Sequence, residues 1–491
     1  MASSSSSSSQ SSSQTLTASA SSSSLGDVAR RREAALALAD DREEVRLLAD
    51  FDECKASVRW LVEQAKEKIE YSTFICDPFV RLPQWSGGPN GEPMTGKVEY
   101  SDNDPTVRDV LVAAAERGVE VRMAYNPASC YGNLSVAEFK AAMAPVEIVC
   151  LRGSLGPAPW MLYFSNNESW SYHHQKYVAI DSAEWVMVTG CDMNTERAGW
   201  LEVNELGYYW HELGAVIHAR NGSQTKAAMA SWFSSNTSGK VSTQRVPPLP
   251  LVAHATEAQL MRELIEGAKS SIHLENQAFM SGESSQNGIV GAIAARVVRA
   301  VEEGDDAFRV VILTNMAQQD EPSFVTRLYC SSSLVWSLRH LERTVAAAGV
   351  STEQLYQHVF VGFLEHDSVL VKVHSNMIVV DSQHLIRSSS NLSDRSLSSE
   401  PTDSELGLFV SGPEVAAFQA RLFSRYLSGE DVAAGDVVSV FAAAQAGHGI
   451  FVPVERDLYR WPDFVLNALI GFLQSTPATG GKERTEFSIR E

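Results

Sequence analysis

The chain has 491 residues, 44% of them hydrophobic, with 60 acidic against 40 basic side chains and a formal net charge of −20. That length accommodates two domains or one large duplicated one, and that apolar share suits a protein with a buried core. The acid excess disfavours nonspecific nucleic-acid binding, which needs Lys and Arg to neutralise phosphates, and it disfavours loose adsorption to strongly anionic membrane.

Residues 1–26 are mostly serine and predict a disordered tail. Asp27–Asp50, rich in Ala, Leu, Arg and Glu, predicts a helix with Asp27 as its cap. Phe51–Lys68 predicts an amphipathic helix leading into a strand over Ile69–Cys76, and the Pro, Gly and Asn of Asp77–Lys97 predict a loop. Thr106–Arg117 predicts a helix closed by Gly118, followed by a strand over Val119–Tyr125. The order repeats later: helix Thr256–Ala268, strand Ser271–Gln277, helix Gly288–Glu303, strand Phe308–Thr314. Such alternation predicts an α/β sheet. The Ser-, Thr-, Gly- and Pro-containing stretch 234–250 is the expected linker between an N-terminal half, 27–233, and a C-terminal half, 251–475. Pro413–Leu427 predicts a helix, Phe464–Leu473 a short apolar helix docked on the core, and 476–491 a disordered tail.

No run of about 18 apolar residues suggests a transmembrane helix. The N-terminus lacks the basic start and apolar core of a secretory signal, so a cytoplasmic protein is expected. The six cysteines are scattered without C-x-x-C pairs and are expected as free thiols. His254, His340, His358 and His366 have no ligand spacing, so neither a metal nor another cofactor is expected.

The chemistry points to Ser171–Asp192. His174, Lys176 and Asp181 stand there in the spacing H-x-K-x-x-x-x-D, on what reads as a buried strand. Period-two alternation puts His174, Lys176, Val178 and Ile180 on one face and Asp181 on the other, where a structural role is expected. A histidine beside a lysine suits chemistry on a phosphate: one nucleophile or acid, one cation. Val373–Asp381 repeats the pattern with His374, Asn376 and Asp381, and Asn376 stands where the lysine would be.

Further stretches make the pattern specific. Ser388–Leu397 resembles the G-S-x-N-x-x-D-R-S stretch of eukaryotic-type phospholipases D, and Asp403-Ser404-Glu405 resembles their D-S-E. Leu274–Phe279 resembles I-E-N-Q-Y-F, and Trp210-His211-Glu212 resembles W-H-D. With the two histidine motifs, the chain resembles the phospholipase D superfamily from about Ile69 to Val410.

The resemblance implies an α/β fold of two similar halves, each a mixed sheet flanked by helices, packed with one shared active site. It implies His174 as the nucleophile that forms a phosphohistidine and His374 as the acid and base. Lys176, Asn376, Asn391 and Asp192 are implied to line the phosphate site, and Glu212 and Glu405 to orient the histidines. Asp181 and Asp381 belong to the motif as structural residues. Glu275 and Asn276, on a strand among apolar neighbours, serve either substrate contact or a structural network. Period-two alternation places Lys372, two residues before His374, on the same strand face, where it either leans toward the phosphate and partly restores the charge missing at Asn376 or points to solvent at the strand's mouth. The substrate implied is a glycerophospholipid such as phosphatidylcholine at a membrane surface, which the protein would meet peripherally. The alternatives are a catalytically weak or inactive lipid-binding relative, because of Asn376, and another superfamily reaction such as cardiolipin or phosphatidylserine synthesis. The acid excess argues against nuclease activity, and oligomeric state has no sequence signal.

Overall fold

The computed structural model describes residues 43–86, 94, 96–125, 135–150, 173–194, 209–237, 247, 249–315, 324–401 and 403–454. The serine-rich tail, residues 27–42, residues 238–246 of the expected linker, the Phe464–Leu473 helix and the tail 476–491 lie outside them. In chain order the strands of the first part are β1 (Glu43–Leu48), β2 (Lys68–Ser72), the short β3 (Gln84–Trp85) and β4 (Val98–Glu99), β5 (Glu120–Tyr125), β6 (Glu147–Cys150), β7 (Tyr177–Ile180), β8 (Trp185–Thr189), β9 (Tyr209–His211) and β10 (Gly214–Ala219). Those of the second are β11 (Leu251–Val252), β12 (Ser271–Glu275), β13 (Arg309–Leu313), β14 (Val359–His366), β15 (Val369–Val373), β16 (Met377–Val380), β17 (His384–Ser388), β18 (Gly407–Ser411) and β19 (Phe451–Pro453).

Two large mixed sheets result. The first runs β1-β10-β8-β7-β2-β5-β6, and the second runs β11-β18-β17-β16-β12-β13-β14-β15-β9, with β19 on β14. The order β10-β8-β7-β2-β5-β6 repeats as β18-β17-β16-β12-β13-β14. Directions repeat as well: β2, β5 and β6 are parallel neighbours, as are β12, β13 and β14, while β7 and β16 run antiparallel to β2 and β12. Helix α1 (Phe51–Gln64) leads into β2 and helix α2 (Val107–Glu116) joins β2 to β5; α3 (His254–Gly267) and α4 (Ile289–Glu303) do the same around β12 and β13. Parallel neighbours require such crossovers. Thr106 and Asp109 form a capping box that fixes the start of α2.

One apolar cluster joins the inner faces of the sheets, with Tyr177, Val186, Val188 and Ile217 from the first and Val311, Met377, Val379 and Leu408 from the second. Its alternating strand residues leave Val178, Ile180 and Met187 for the opposite face, where they pack with residues of α1 and α2. Helix α5 (Phe324–Ala347) and helix α6 (Pro413–Tyr426) belong to the second part, and Val415, Phe418 and Leu422 of α6 enter the inter-sheet cluster.

The structure corrects two expectations. Glu43–Leu48 is not helical: it is a strand paired antiparallel with β10 from Glu43↔Ala219 to Leu48↔Gly214. Pairing at the sheet edge, with Val45 and Leu47 packed on the inter-sheet cluster, overrides the helical composition. Asp50 instead caps α1, accepting from the Glu53 N–H at 2.7 Å. The motif histidines also stand before their strands, since β7 starts at Tyr177 and β16 at Met377. Asn376 has φ 42, so alternation does not run unbroken from β15 through His374 into β16.

Candidate active site

Each motif histidine is placed by main-chain bonds to the other half. The His174 N–H donates to Ser404 O (3.1 Å), and the His374 N–H donates to His211 O (2.9 Å). The second bond exists because β9, though it precedes β10 in sequence, leaves the first sheet and pairs parallel with β15. The first has its counterpart in the bridge between His173 and Ser404. The glutamates that follow these crossing segments therefore arrive at the opposite half's histidine.

His174 Nδ1 lies 3.0 and 3.1 Å from the two Glu405 carboxylate oxygens. His374 Nδ1 lies 2.7 Å from Glu212 Oε2. All four side chains are buried. At His174 the acceptor carboxylate at Nδ1 favours the tautomer that protonates Nδ1 and leaves the Nε2 lone pair available. Burial alone would push the Glu405 carboxyl up, but the charge and hydrogen bond of His174, with Lys176 and the Ser389 hydroxyl, outweigh it and hold the group at about 2. The Ser389 and Ser396 hydroxyls donate to Glu405 at 2.5 and 2.6 Å. The neighbouring His173 is brought down to about 3 by burial and then by Lys176 and His174, so it sits neutral between Ser72 and Ser404.

Lys176 is fully buried; its ammonium donates to His174 O (2.9 Å), lies 3.8 Å from Asp192 Oδ2 and faces the Phe74 ring at 5.3 Å. Phe74 in turn meets the His174 ring edge-on at 5.2 Å. Asp192 Oδ1 accepts from Thr73 Oγ1 and from the N–H groups of Phe74 and Ile75, which fixes the turn after β2 beside Lys176. In the second half, Asn376 Oδ1 accepts from the Gln277 N–H at 2.9 Å, and its amide donates to Ser389 O at 3.2 Å and Asn391 Oδ1 at 3.4 Å. The same amide-to-391 contact stands where Lys176 approaches Asp192, with neutral groups on both sides.

The remaining candidates have internal partners. Asn276 accepts from the N–H groups of Ala278 and Leu392 and donates to Ser390 O, so it shapes the loop that carries Asn391. Glu275 lies in a buried network, accepting from Tyr426 OH (2.5 Å) and Ser375 Oγ (2.5 Å), with His211 Nε2 at 2.8 Å and His273 Nε2 at 2.9 Å. Burial would raise its carboxyl, but His211 and then His273 hold it well below the usual carboxylate range. Of the two roles open to Glu275 and Asn276, these partners serve a structural network. The Lys372 ammonium lies 4.8 Å from the Trp210 ring, which packs on His374 with centroids 5.1 Å apart. Among the described residues, no group of three His, Cys, Asp or Glu side chains is arranged to hold a metal ion.

Asp181 and Asp381 sit past the ends of β7 and β16 with φ of 50 and 55. Each carboxylate gathers three consecutive N–H groups, of Lys66, Glu67 and Lys68 for Asp181 and of Lys269, Ser270 and Ser271 for Asp381. These bonds tie the motif strand to the start of its neighbour. Asp381→Ala is expected to lower stability by about 1–3 kcal/mol, measured by urea unfolding. An unchanged midpoint would show that water replaces the carboxylate without loss.

Sequence reasoning missed Ser389 and Ser396, and it missed Arg387, which is fully buried and reaches Glu212. A charged residue directly after the apolar pair Leu385-Ile386 was the available signal for the last.

No family model matches the chain. Phospholipase D zeta 1 of Arabidopsis thaliana is 28% identical over 179 residues, and phospholipase D zeta 2 of the same plant is 30% identical over 176 residues. Each match covers 31% of this chain, and the chain spans 16% of the length of these curated relatives. Among solved structures, phosphatidylserine synthase of Haemophilus influenzae Rd KW20 superposes with a TM-score of 0.52 at 11% identity, covering 91% of this chain and 97% of that one. At that identity the likeness is one of fold.

Proposed function

We propose that the chain is a phospholipase D superfamily protein, a reading supported by its likeness to the two plant phospholipases D, and that it cleaves the headgroup phosphodiester of a glycerophospholipid, phosphatidylcholine or a near relative, through a phosphohistidine. The observation that carries this reading is the reciprocal arrangement in which each half's glutamate holds the other half's histidine, Glu405 to His174 and Glu212 to His374.

His174 Nε2 attacks phosphorus, and the bond from phosphorus to the headgroup oxygen breaks. Protonated His374 gives its proton to the departing alkoxide, which leaves as a free alcohol. Neutral His374 then takes a proton from water, the oxygen attacks phosphorus, the P–N bond breaks, and phosphatidic acid leaves. An acceptor alcohol in place of water yields a transferred phosphatidyl group by the same steps. Lys176 places positive charge beside the nonbridging oxygens, and Asn391 lines the same side. The two halves, 27–233 and 251–475, together form the catalytic unit, which works in the cytoplasm as a peripheral protein at a membrane surface. Among the described residues, no helix is long and apolar enough to cross a membrane.

Asn376 favours a second reading, a weak or inactive lipid-binding relative, because its amide is engaged by Gln277, Ser389 and Asn391 and brings no charge. Incubation of the purified protein with phosphatidylcholine vesicles and ethanol separates the two. Phosphatidylethanol and free choline are expected. A blank across several phospholipids, with the protein still sedimenting with vesicles, would replace the enzyme reading by the binding one.

A further inference from the structure

The two halves carry their buried cations at different places. Strand register makes the comparison residue by residue: Tyr177 pairs with Val188 across β7 and β8, and Met377 pairs with Arg387 across β16 and β17. Main-chain bonds agree, since Thr189 N–H donates to Lys176 O and Ser388 N–H donates to Asn376 O. Lys176 and Val188 of the first half thus correspond to Asn376 and Arg387 of the second. Each half has one cation and one uncharged side chain at these two positions, with the cation exchanged between them. Lys176 and Arg387 are each 1% exposed.

The surroundings of Arg387 differ from those of an ordinary interface arginine. Nη2 donates to Leu213 O at 2.5 Å and lies 3.6 Å from Glu212 Oε1. Nε and Nη1 make no hydrogen bond to the described residues. A buried guanidinium with idle donors is costly beside the valine of the other half, so packing alone is a poor reason for it. Gly190 makes room: a Cβ there would fall 2.7 Å from Nη2 and 2.3 Å from Glu212 Oε1. In the second half the matching position is Ser389, whose hydroxyl serves Glu405 directly. Glu405 thus has two hydroxyls and the Lys176 charge, whereas Glu212 has the Trp210 indole N–H and the Leu213 N–H, both at 3.4 Å, and Arg387.

Building on the phosphodiesterase reading, we propose that Arg387 is the positioning residue of the second histidine, supplying the cation that lysine supplies in the first half and holding Glu212 as the carboxylate that orients His374. The other titratable groups around the guanidinium are Cys54, Cys191 and Glu257. Burial pushes the Cys191 thiol up and the Glu257 carboxyl to about 8, and Glu212 is the carboxylate at ion-pair distance from the guanidinium, 3.6 Å. On the His374 side stand Glu212 and Trp210, with Lys372 over the indole.

The test compares wild type with Arg387→Val, which installs the first half's residue, Arg387→Lys, and the double variant Asn376→Lys/Arg387→Val, which gives the second half the first half's pattern. Two readouts are taken: imidazole 15N shifts of His374 against pH, and kcat and KM. Losing a nearby cation raises the pH at which the Glu212–His374 pair gives up its proton, by about one unit or more, and kcat is expected to fall ~10²-fold with KM little changed. Arg387→Lys and the double variant are expected to recover most of both. If Arg387→Val does not fold, Arg387→Gln takes its place. An unmoved His374 titration in a folded variant overturns the proposal, as does a double variant no better than Arg387→Val. If wild type shows no turnover on any phospholipid while the His374 titration still moves, the phosphodiesterase reading fails and the positioning role of Arg387 stands.

Discussion

His174→Ala is expected to remove both turnover and any covalent phosphoenzyme, a loss of ~10⁴–10⁶ in kcat of the size seen when a nucleophile is deleted. The geometry gives the reason. Glu405 occupies the Nδ1 side of His174 at 3.0 Å, so Nε2 is the nitrogen left to attack. The neighbour His173 is no substitute, because its ring nitrogens contact the Ser72 and Ser404 hydroxyls and it stays neutral inside the fold. Rapid quenching with lipid labelled at phosphorus, followed by alkaline recovery of the protein, measures the intermediate. His374→Ala is expected to be nearly as damaging to turnover, since it lacks the acid for the leaving alkoxide. Label retained on His174→Ala, or substantial turnover by it at the protein concentration used for wild type, would move the nucleophile elsewhere.

The repeat was legible in the sequence because both copies obey simple local rules. The helix over Phe51–Gln64 and the strand from Lys68 have clear periodicity and a polar cap, and the second copy, His254–Gly267 and Ser271–Glu275, repeats the periodicity with Ala253 in place of the polar cap. The motif spacing marked both histidines. Helix α5 was not legible: its Ser331–Ser333 and Ser337 look like loop residues yet are buried, and the Ser337 hydroxyl bonds Phe279 O and the Ser281 N–H. The exchange of β9 into the second sheet was not legible either, because three residues, Tyr209–His211, carry no signal of which sheet they join. That exchange decides which glutamate meets which histidine. Nor does alternation along one strand show that Lys372 lies over Trp210, since that contact comes from the pairing of β15 with β9. Arg387 carries no motif either, because its place opposite Met377 is set by cross-strand register, a property of the fold.

Glu405→Gln is expected to lower kcat ~10³–10⁴-fold with little change in KM, because it misorients the nucleophile without removing it. Three donors converge on the Glu405 carboxylate: His174 Nδ1, Ser389 Oγ and Ser396 Oγ. A glutamine offers one carbonyl oxygen and an NH2 group, so at least one donor meets another donor. The relief open to His174 is the other tautomer, with Nδ1 accepting from the amide and the proton on Nε2, which is the attacking nitrogen. Stability carries an independent signature. The wild-type carboxyl is held at about 2 in the folded chain, below its ordinary value of about 4.3. A depressed carboxyl contributes stability that is fully present above the unfolded value and is lost as pH falls through the folded one. The gap in urea-unfolding free energy between wild type and Glu405→Gln is therefore expected to be constant near neutrality and to close between about 4.3 and about 2. A gap that does not narrow in that window would mean that Glu405 is not held ionised by His174 and the serines. Turnover within tenfold of wild type would mean that the tautomer of His174 is set by something other than Glu405.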